Sequence, residues 1–135
     1  MLSKRTKYGL KALAFIARNS EGNPVAVSEI AKSENIPSKF LESILLTLRK
    51  SGILSSKKGK GGGYYLLKSP GEIPMTDILR ILEGPIAMLP CVSLNYYEQC
   101  SDCPNEGSCT VNKLMVKVRD KTLEVFRNNT LADLV

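Results

Sequence analysis

The apolar positions recur with helical spacing over the first fifty residues and then change period. Leu10, Leu13, Ala14 and Ala17 fall at i, i+3, i+4 and i+7, one face of a helix expected over about residues 7–18. The Asn-, Gly- and Pro-bearing stretch 19–24 is turn chemistry and ends it. A second short helix is expected after Val27 and Ser28, with Ser28 as its N-cap and Ile30 and Ala31 facing inward. Asn35, Ile36 and Pro37 form a turn, and Pro37 suits the start of a third helix. That helix carries Phe40, Leu41, Ile44, Leu45 and Leu48 on one stripe and ends at Gly52. Phe40, Leu41 and Leu45 are read as core.

At residue 53 the period shortens. Residues 53–57 and 64–68 are short β candidates joined by Gly59, Lys60, Gly61, Gly62 and Gly63. Ser69, Pro70 and Gly71 mark a boundary. A fourth helix follows, with Pro74 in its first turn and Ile78, Leu79 and Leu82 apolar, until Gly84 and Pro85 stop it. Residues 85–109 have weak periodicity and are read as a loop. A longer helix is expected over about residues 110–128. Its Val111, Leu114, Met115, Val118, Leu123, Val125 and Phe126 give it an apolar surface too broad for a lone exposed helix. A second copy of the chain is the natural cover, so a homodimer is expected.

The pattern therefore predicts a mainly α fold with a small β-hairpin wing. Residues 1–84 form a winged helix-turn-helix DNA-binding domain. Residues 85–109 form a cysteine-bearing sensor loop, and residues 110–135 a dimerisation helix and C-terminal tail.

Charge sharpens this reading. The net charge is +6 over 135 residues, with 43% apolar content, ordinary for a globular chain. Residues 1–70 hold 13 Lys or Arg against 4 Glu, and residues 71–135 hold 6 against 9 acidic groups. The positive field belongs to the half with the helix pair and hairpin, where a polyanion would dock. No run approaches the length of a membrane span. Lys11 and Arg18 interrupt the apolar stretch behind Lys4, Arg5 and Lys7, against a signal peptide, so a cytoplasmic protein is expected.

There is no histidine. This excludes a Ser-His-Asp triad, a Cys-His nucleophile and any His-liganded metal within the chain. The glycine loop is not a nucleotide cradle: the P-loop needs Gly-x-x-x-x-Gly-Lys-Ser/Thr before a helix, and the dinucleotide fingerprint needs Gly where Tyr64 stands. An enzyme is not expected. Ser38, Lys39 and Glu42, near the start of the third helix, are placed to reach major-groove base edges, Glu42 as an acceptor from a cytosine amino group. Lys57, Lys58 and Lys60, with Gly61 and Gly62 allowing close backbone approach, suit phosphate or the minor groove of double-stranded DNA. Arg49 and Lys50 are read as surface charges favourable near a helix C-terminus.

All four cysteines, Cys91, Cys100, Cys103 and Cys109, fall within nineteen positions. In a chain read as cytoplasmic, such thiols serve as ligands or redox groups rather than structural disulfides. Three readings compete: an iron–sulphur cluster, a structural zinc, and a thiol–disulfide sensor using Cys100 and Cys103 or a longer-range pair. The spacing is not that of paired C-x2-C zinc knuckles. A disulfide oxidoreductase would need its C-x-x-C in a βαβ setting, which the pattern lacks.

The ordered set of segments resembles the Rrf family of bacterial winged-helix repressors over nearly the whole chain. Residues 8–13 (YGLKAL) look like its first-helix motif and residues 27–31 (VSEIA) like its second. Phe40-Leu41-Glu42 and residues 48–52 (LRKSG) are similar to its recognition helix, residues 58–64 (KGKGGGY) to its wing, and residues 78–84 to its fourth helix. The resemblance implies a DNA-binding regulator that dimerises through its long helix. It also implies an iron–sulphur cluster, 2Fe-2S or 4Fe-4S, on the cysteine loop, although some members respond to a partner enzyme instead. Lys58 stands where the family's wing usually has arginine. Family members that supply a fourth ligand do so from a histidine, here Asn112, or from an aspartate before the first-helix tyrosine, here Lys7. The resemblance thus implies Cys91, Cys103 and Cys109 as ligands; the extra cysteine, Cys100, is the candidate for the vacancy, with Glu98, Asp102, Glu106 or a group from a partner chain as the alternatives.

Overall fold

The structure is a computed structural model, and it describes residues 2–19, 22–103 and 105–135. Five helices and one hairpin follow in the order α1 (Lys4–Asn19), α2 (Val27–Glu34), α3 (Ser38–Lys50), β1 (Leu54–Lys57), β2 (Gly63–Leu66), α4 (Met75–Leu82) and α5 (Thr110–Arg127). Short 3-10 turns lie at Pro70–Glu72, Pro90–Val92, Glu106–Ser108 and Leu131–Leu134.

α1 starts at Lys4, ahead of the expected start at about residue 7. Ser3 begins it: its hydroxyl accepts from the Thr6 amide at 3.2 Å and its carbonyl from the Lys7 amide at 3.0 Å. Such capping satisfies donors that the first turn leaves free. The Glu83 carboxylate, at the end of α4, receives the Ser3 hydroxyl at 2.9 Å, the Ser3 amide at 3.1 Å and the Thr6 hydroxyl. These bonds, the Thr6 hydroxyl foremost, hold the Glu83 carboxyl below its ordinary range against the opposing pull of partial burial. α1 is buried on more than the single expected face. Ala12, Phe15 and Ile16 are enclosed as well as Leu13 and Ala14, while Leu10 and Ala17 are only half-buried. The reason is position: α2, α3, α4, β2 and the C-terminal 3-10 turn all pack around α1.

Ser28 does not cap α2. It lies inside the helix, whose N-cap is Ala26 with no side-chain bond. Asn35 adopts φ 54° as its C-cap, a left-handed conformation that Asn tolerates. Pro37 and Pro74 each occupy the position just before a helix rather than its first turn. Two members of the 19–24 turn, Ser20 and Glu21, lie outside the described residues.

The hairpin is antiparallel, with Leu54 opposite Leu66 and Lys57 opposite Gly63. It is not free-standing. The Val25 amide donates to the Tyr64 carbonyl at 2.8 Å and the Tyr64 amide to the Val25 carbonyl at 2.9 Å, so the segment before α2 pairs with β2. The core joins Leu13, Ile16, Ile30, Leu41, Ile44, Leu45, Leu48, Leu54, Ile78 and Leu79, with Tyr8 set edge-on to Phe40 at 5.6 Å.

The C-terminal tail joins this core. Leu131 is fully buried, its amide donates to the Ile73 carbonyl at 2.9 Å, and Thr130 pairs with Pro74. α5, by contrast, buries only Leu123 completely. Val111, Leu114 and Val125 are more than half exposed. No helix among the described residues is long and apolar enough to cross a membrane.

Candidate nucleic-acid interface and cysteine cluster

α3 splits cleanly by face. Leu41, Ile44, Leu45 and Leu48 point into the core, which leaves Ser38, Lys39, Glu42, Ser43 and Leu46 exposed on the opposite side. The three sequence-selected residues of this helix therefore share one outward surface.

The wing presents Lys57 at the end of β1 and Lys58 and Lys60 in the connecting loop, all exposed and none ion-paired among the described residues. Gly61 lies at the exposed tip with φ 76°. Gly62 and Gly63 answer to packing. A Cβ on Gly62 would stand 2.2 Å from the Lys57 carbonyl oxygen, and one on Gly63 would stand 2.2 Å from the Val25 carbonyl oxygen, at φ 150°. Glycine here lets the two backbones close on each other.

Two arginines tie these parts together, and the sequence pattern does not reveal the ties. The Arg49 guanidinium donates to the Ser56 hydroxyl at 3.2 Å, joining α3 to β1. Arg5, from the first turn of α1, reaches α3 with two nitrogens, donating to the Ser43 hydroxyl at 3.2 Å and the Thr47 hydroxyl at 2.7 Å. All are contacts between polar residues, those of Arg5 distant in the chain, which apolar periodicity cannot register.

The four cysteines line one cavity of about 330 Å³, together with Leu89, Asp102, Glu106, Val111 and Asn112. All four are free thiols. Cys109 caps α5, its sulphur accepting from the Asn112 amide at 3.4 Å, and the Asn112 side chain donates to the Cys91 sulphur at 3.4 Å. Asn112 thus stands between the first and last cysteines. The Cys100 thiol donates to the Asp102 carboxylate at 2.6 Å, and the Cys103 amide closes a turn onto the Cys100 carbonyl at 3.2 Å. The bond to Asp102 pushes the Cys100 thiol up. Partial burial does the same to Cys103, aided by neighbouring Cys109 and Glu106. A bound cation would reverse that preference and hold thiolates. The donor set fits an iron–sulphur cluster in number and softness. Among the described residues, no three Cys, Asp or Glu side chains already converge on a single metal position. Binding would draw the loop inward.

α5 also grips the first cysteine's turn from a second point. The Arg119 guanidinium donates to the Val92 carbonyl at 2.9 Å while pairing with Asp120 at 2.8 Å. Asn112 and Arg119 are two turns apart on α5, so both ends of this contact lie on one face.

A helix pair leading to an exposed third helix, followed by a lysine-tipped hairpin, is the winged helix-turn-helix arrangement. The chain belongs to the Rrf2 family, whose model, described as an iron-dependent transcriptional regulator, matches residues 2–135. An rrf2-like HTH-type transcriptional regulator of Rhodobacter capsulatus is 38% identical over 138 residues, covering 100% of this chain and 92% of that protein. The solved structure of CymR, the global cysteine regulator of B. subtilis, matches with a TM-score of 0.80 at 30% identity, covering 99% of this chain and 95% of that one. The structure of T. potens IscR matches with a TM-score of 0.77 at 28% identity, covering 99% and 85%.

Proposed function

We propose that this Rrf2-family regulator binds duplex DNA as a homodimer and adjusts that binding through an iron–sulphur cluster held by Cys91, Cys103 and Cys109, with Cys100 as fourth ligand. The observation that carries the reading is the convergence of all four thiols on one cavity at the start of α5. The family's iron-dependent description points the same way. The exposed Val111, Leu114 and Val125 supply a face for a second copy. Two copies of α3 would then enter successive major grooves about 34 Å apart. Ser38, Lys39 and Glu42 would read base edges, while Lys57, Lys58, Lys60 and the Gly61–Gly62 backbone would meet phosphate or the minor groove. When bound, the cluster would tie the loop to α5, the helix that carries the dimer face.

Protein purified and reconstituted with iron and sulphide without oxygen should be coloured and contain both elements. Cys91→Ala, Cys103→Ala and Cys109→Ala should each abolish the colour, and Cys100→Ala should weaken it. Colourless wild-type protein after reconstitution would overturn the cluster.

A second reading rests on the turn in which the Cys103 amide meets the Cys100 carbonyl. It keeps these two thiols close in sequence and in space, as a thiol–disulfide sensor requires. A reversible change in free-thiol count that tracks DNA affinity in cluster-free protein would favour it.

A further inference from the structure

Arg5 is not explained by folding alone. Two of its five N–H donors engage the Ser43 and Thr47 hydroxyls, and no carboxylate pairs with it among the described residues. Glu42, beside Ser43, is the one acidic residue of α3, and it does not pair with Arg5. Ser43 lies one helical turn beyond Lys39, and Thr47 one turn beyond Ser43, so Arg5 delivers its charge to the outward face of α3. Lys4 and Lys7 stand exposed on either side of it.

We propose that Arg5 clamps a backbone phosphate of duplex DNA while its bonds to Ser43 and Thr47 fix the register of α3. The first turn of α1 thereby becomes a third contact element beside α3 and the wing. Planar guanidinium suits this double task, since it can face hydroxyls along one edge and a phosphate along another. The inference rests on the DNA-binding reading above, and Lys58→Ala serves to separate failure of one from failure of the other.

The experiment is a fluorescence-anisotropy titration of the full-length protein on a random-sequence duplex of about 30 base pairs, from about 50 to 200 mM salt. A second duplex, selected by the wild-type protein from a random pool, is compared with its scrambled form. Arg5→Ala should make the log–log salt slope shallower by about one unit and flatten the preference for the selected duplex. Arg5→Lys should keep the slope but lose part of that preference. Thr47→Val, which keeps the Arg5 charge and removes its shortest anchor, should leave the slope intact and reduce discrimination; it decides the matter if Arg5→Ala does not fold. If Arg5→Ala and Thr47→Val change only the melting temperature while Lys58→Ala lowers the slope, Arg5 is a brace and the clamp is wrong. If wild-type binding shows no salt dependence at all, the DNA-binding reading falls and the clamp falls with it.

Discussion

The Arg49 guanidinium of α3 and the Ser56 hydroxyl of β1 are joined at 3.2 Å, a direct bond between the third helix and the wing beside it. Because the pair is exposed, its removal should cost the fold at most about 1 kcal/mol. Its loss should be local. Arg49→Ala is expected to raise hydrogen exchange in β1 and β2 while α1 and α4 stay protected. Unchanged exchange in the wing would show that the bond does not restrain it.

Gly63 should be the least replaceable residue of the wing. Alanine there would meet the Val25 carbonyl and occupy a left-handed backbone region. Gly63→Ala should destabilise the protein by about 2 kcal/mol or more. Gly71→Ala, where a Cβ meets nothing within 4 Å, should change stability by less than about 1 kcal/mol. Paired thermal melts check this, and equal melting temperatures for the two variants would contradict the close approach.

The exposed face of α5 makes an opposite prediction. Leu114 is 55% exposed, so Leu114→Glu should alter folding stability by no more than about 0.5 kcal/mol. It should nonetheless give monomers in sedimentation velocity and weaken DNA binding. Dimers of normal affinity would place the interface elsewhere.

Glu83 sets an acid limit. Its folded pKa is lowered from an ordinary 4.5, so the stability it contributes is fully present above that value and is lost as pH falls through the folded pKa. The stability gap between wild type and Glu83→Gln should therefore be constant near neutrality and close as pH falls below the ordinary 4.5 and through the lowered folded pKa. A gap that does not depend on pH would mean that the carboxylate charge is irrelevant to the contact with Ser3 and Thr6.

The C-terminal tail is more than a trailing end. Leu131→Ala should destabilise the DNA-binding domain by about 2–5 kcal/mol, as expected for a buried leucine. Chemical denaturation monitored by far-ultraviolet circular dichroism reads this directly.

Most of the helical framework was legible because α1, α2, α3 and α4 each set an apolar stripe against the core. The third and fifth helices begin within a residue of expectation, since Pro37 and the change from the loop to Thr110 are strong local signals. The start of α1 was not legible. Its first turn is polar, and the cap that begins it acts through a bond to Glu83, 80 positions away. Ser28 misleads for a related reason: a serine before an apolar run resembles a cap, but the chain turns into α2 two residues earlier, where Ala26 meets the wing's root. The residues of α3 and of the wing that the sequence offered for DNA contact are exposed. The Val25–Tyr64 pairing, the return of Leu131 and the reach of Arg5 depend on which segments meet in space, and no spacing along the chain encodes that. For the cysteines, the sequence showed their clustering along the chain; their lining of one cavity, and the place of Asn112 between Cys91 and Cys109, come from how the loop folds onto α5.

The pairing of Val25 with Tyr64 has a consequence for what this head can tolerate in its target. It stitches the root of the wing to the segment entering α2, while Arg49 ties the wing to α3. Helix and hairpin are then two prongs of one gauge, with a fixed gap between them. Such a gauge reads distance as well as chemistry. If α3 and the wing contact DNA as proposed, a target with the right bases but one extra base pair between their two stretches would offer each prong its contact, though not both at once, and would be rejected by length alone.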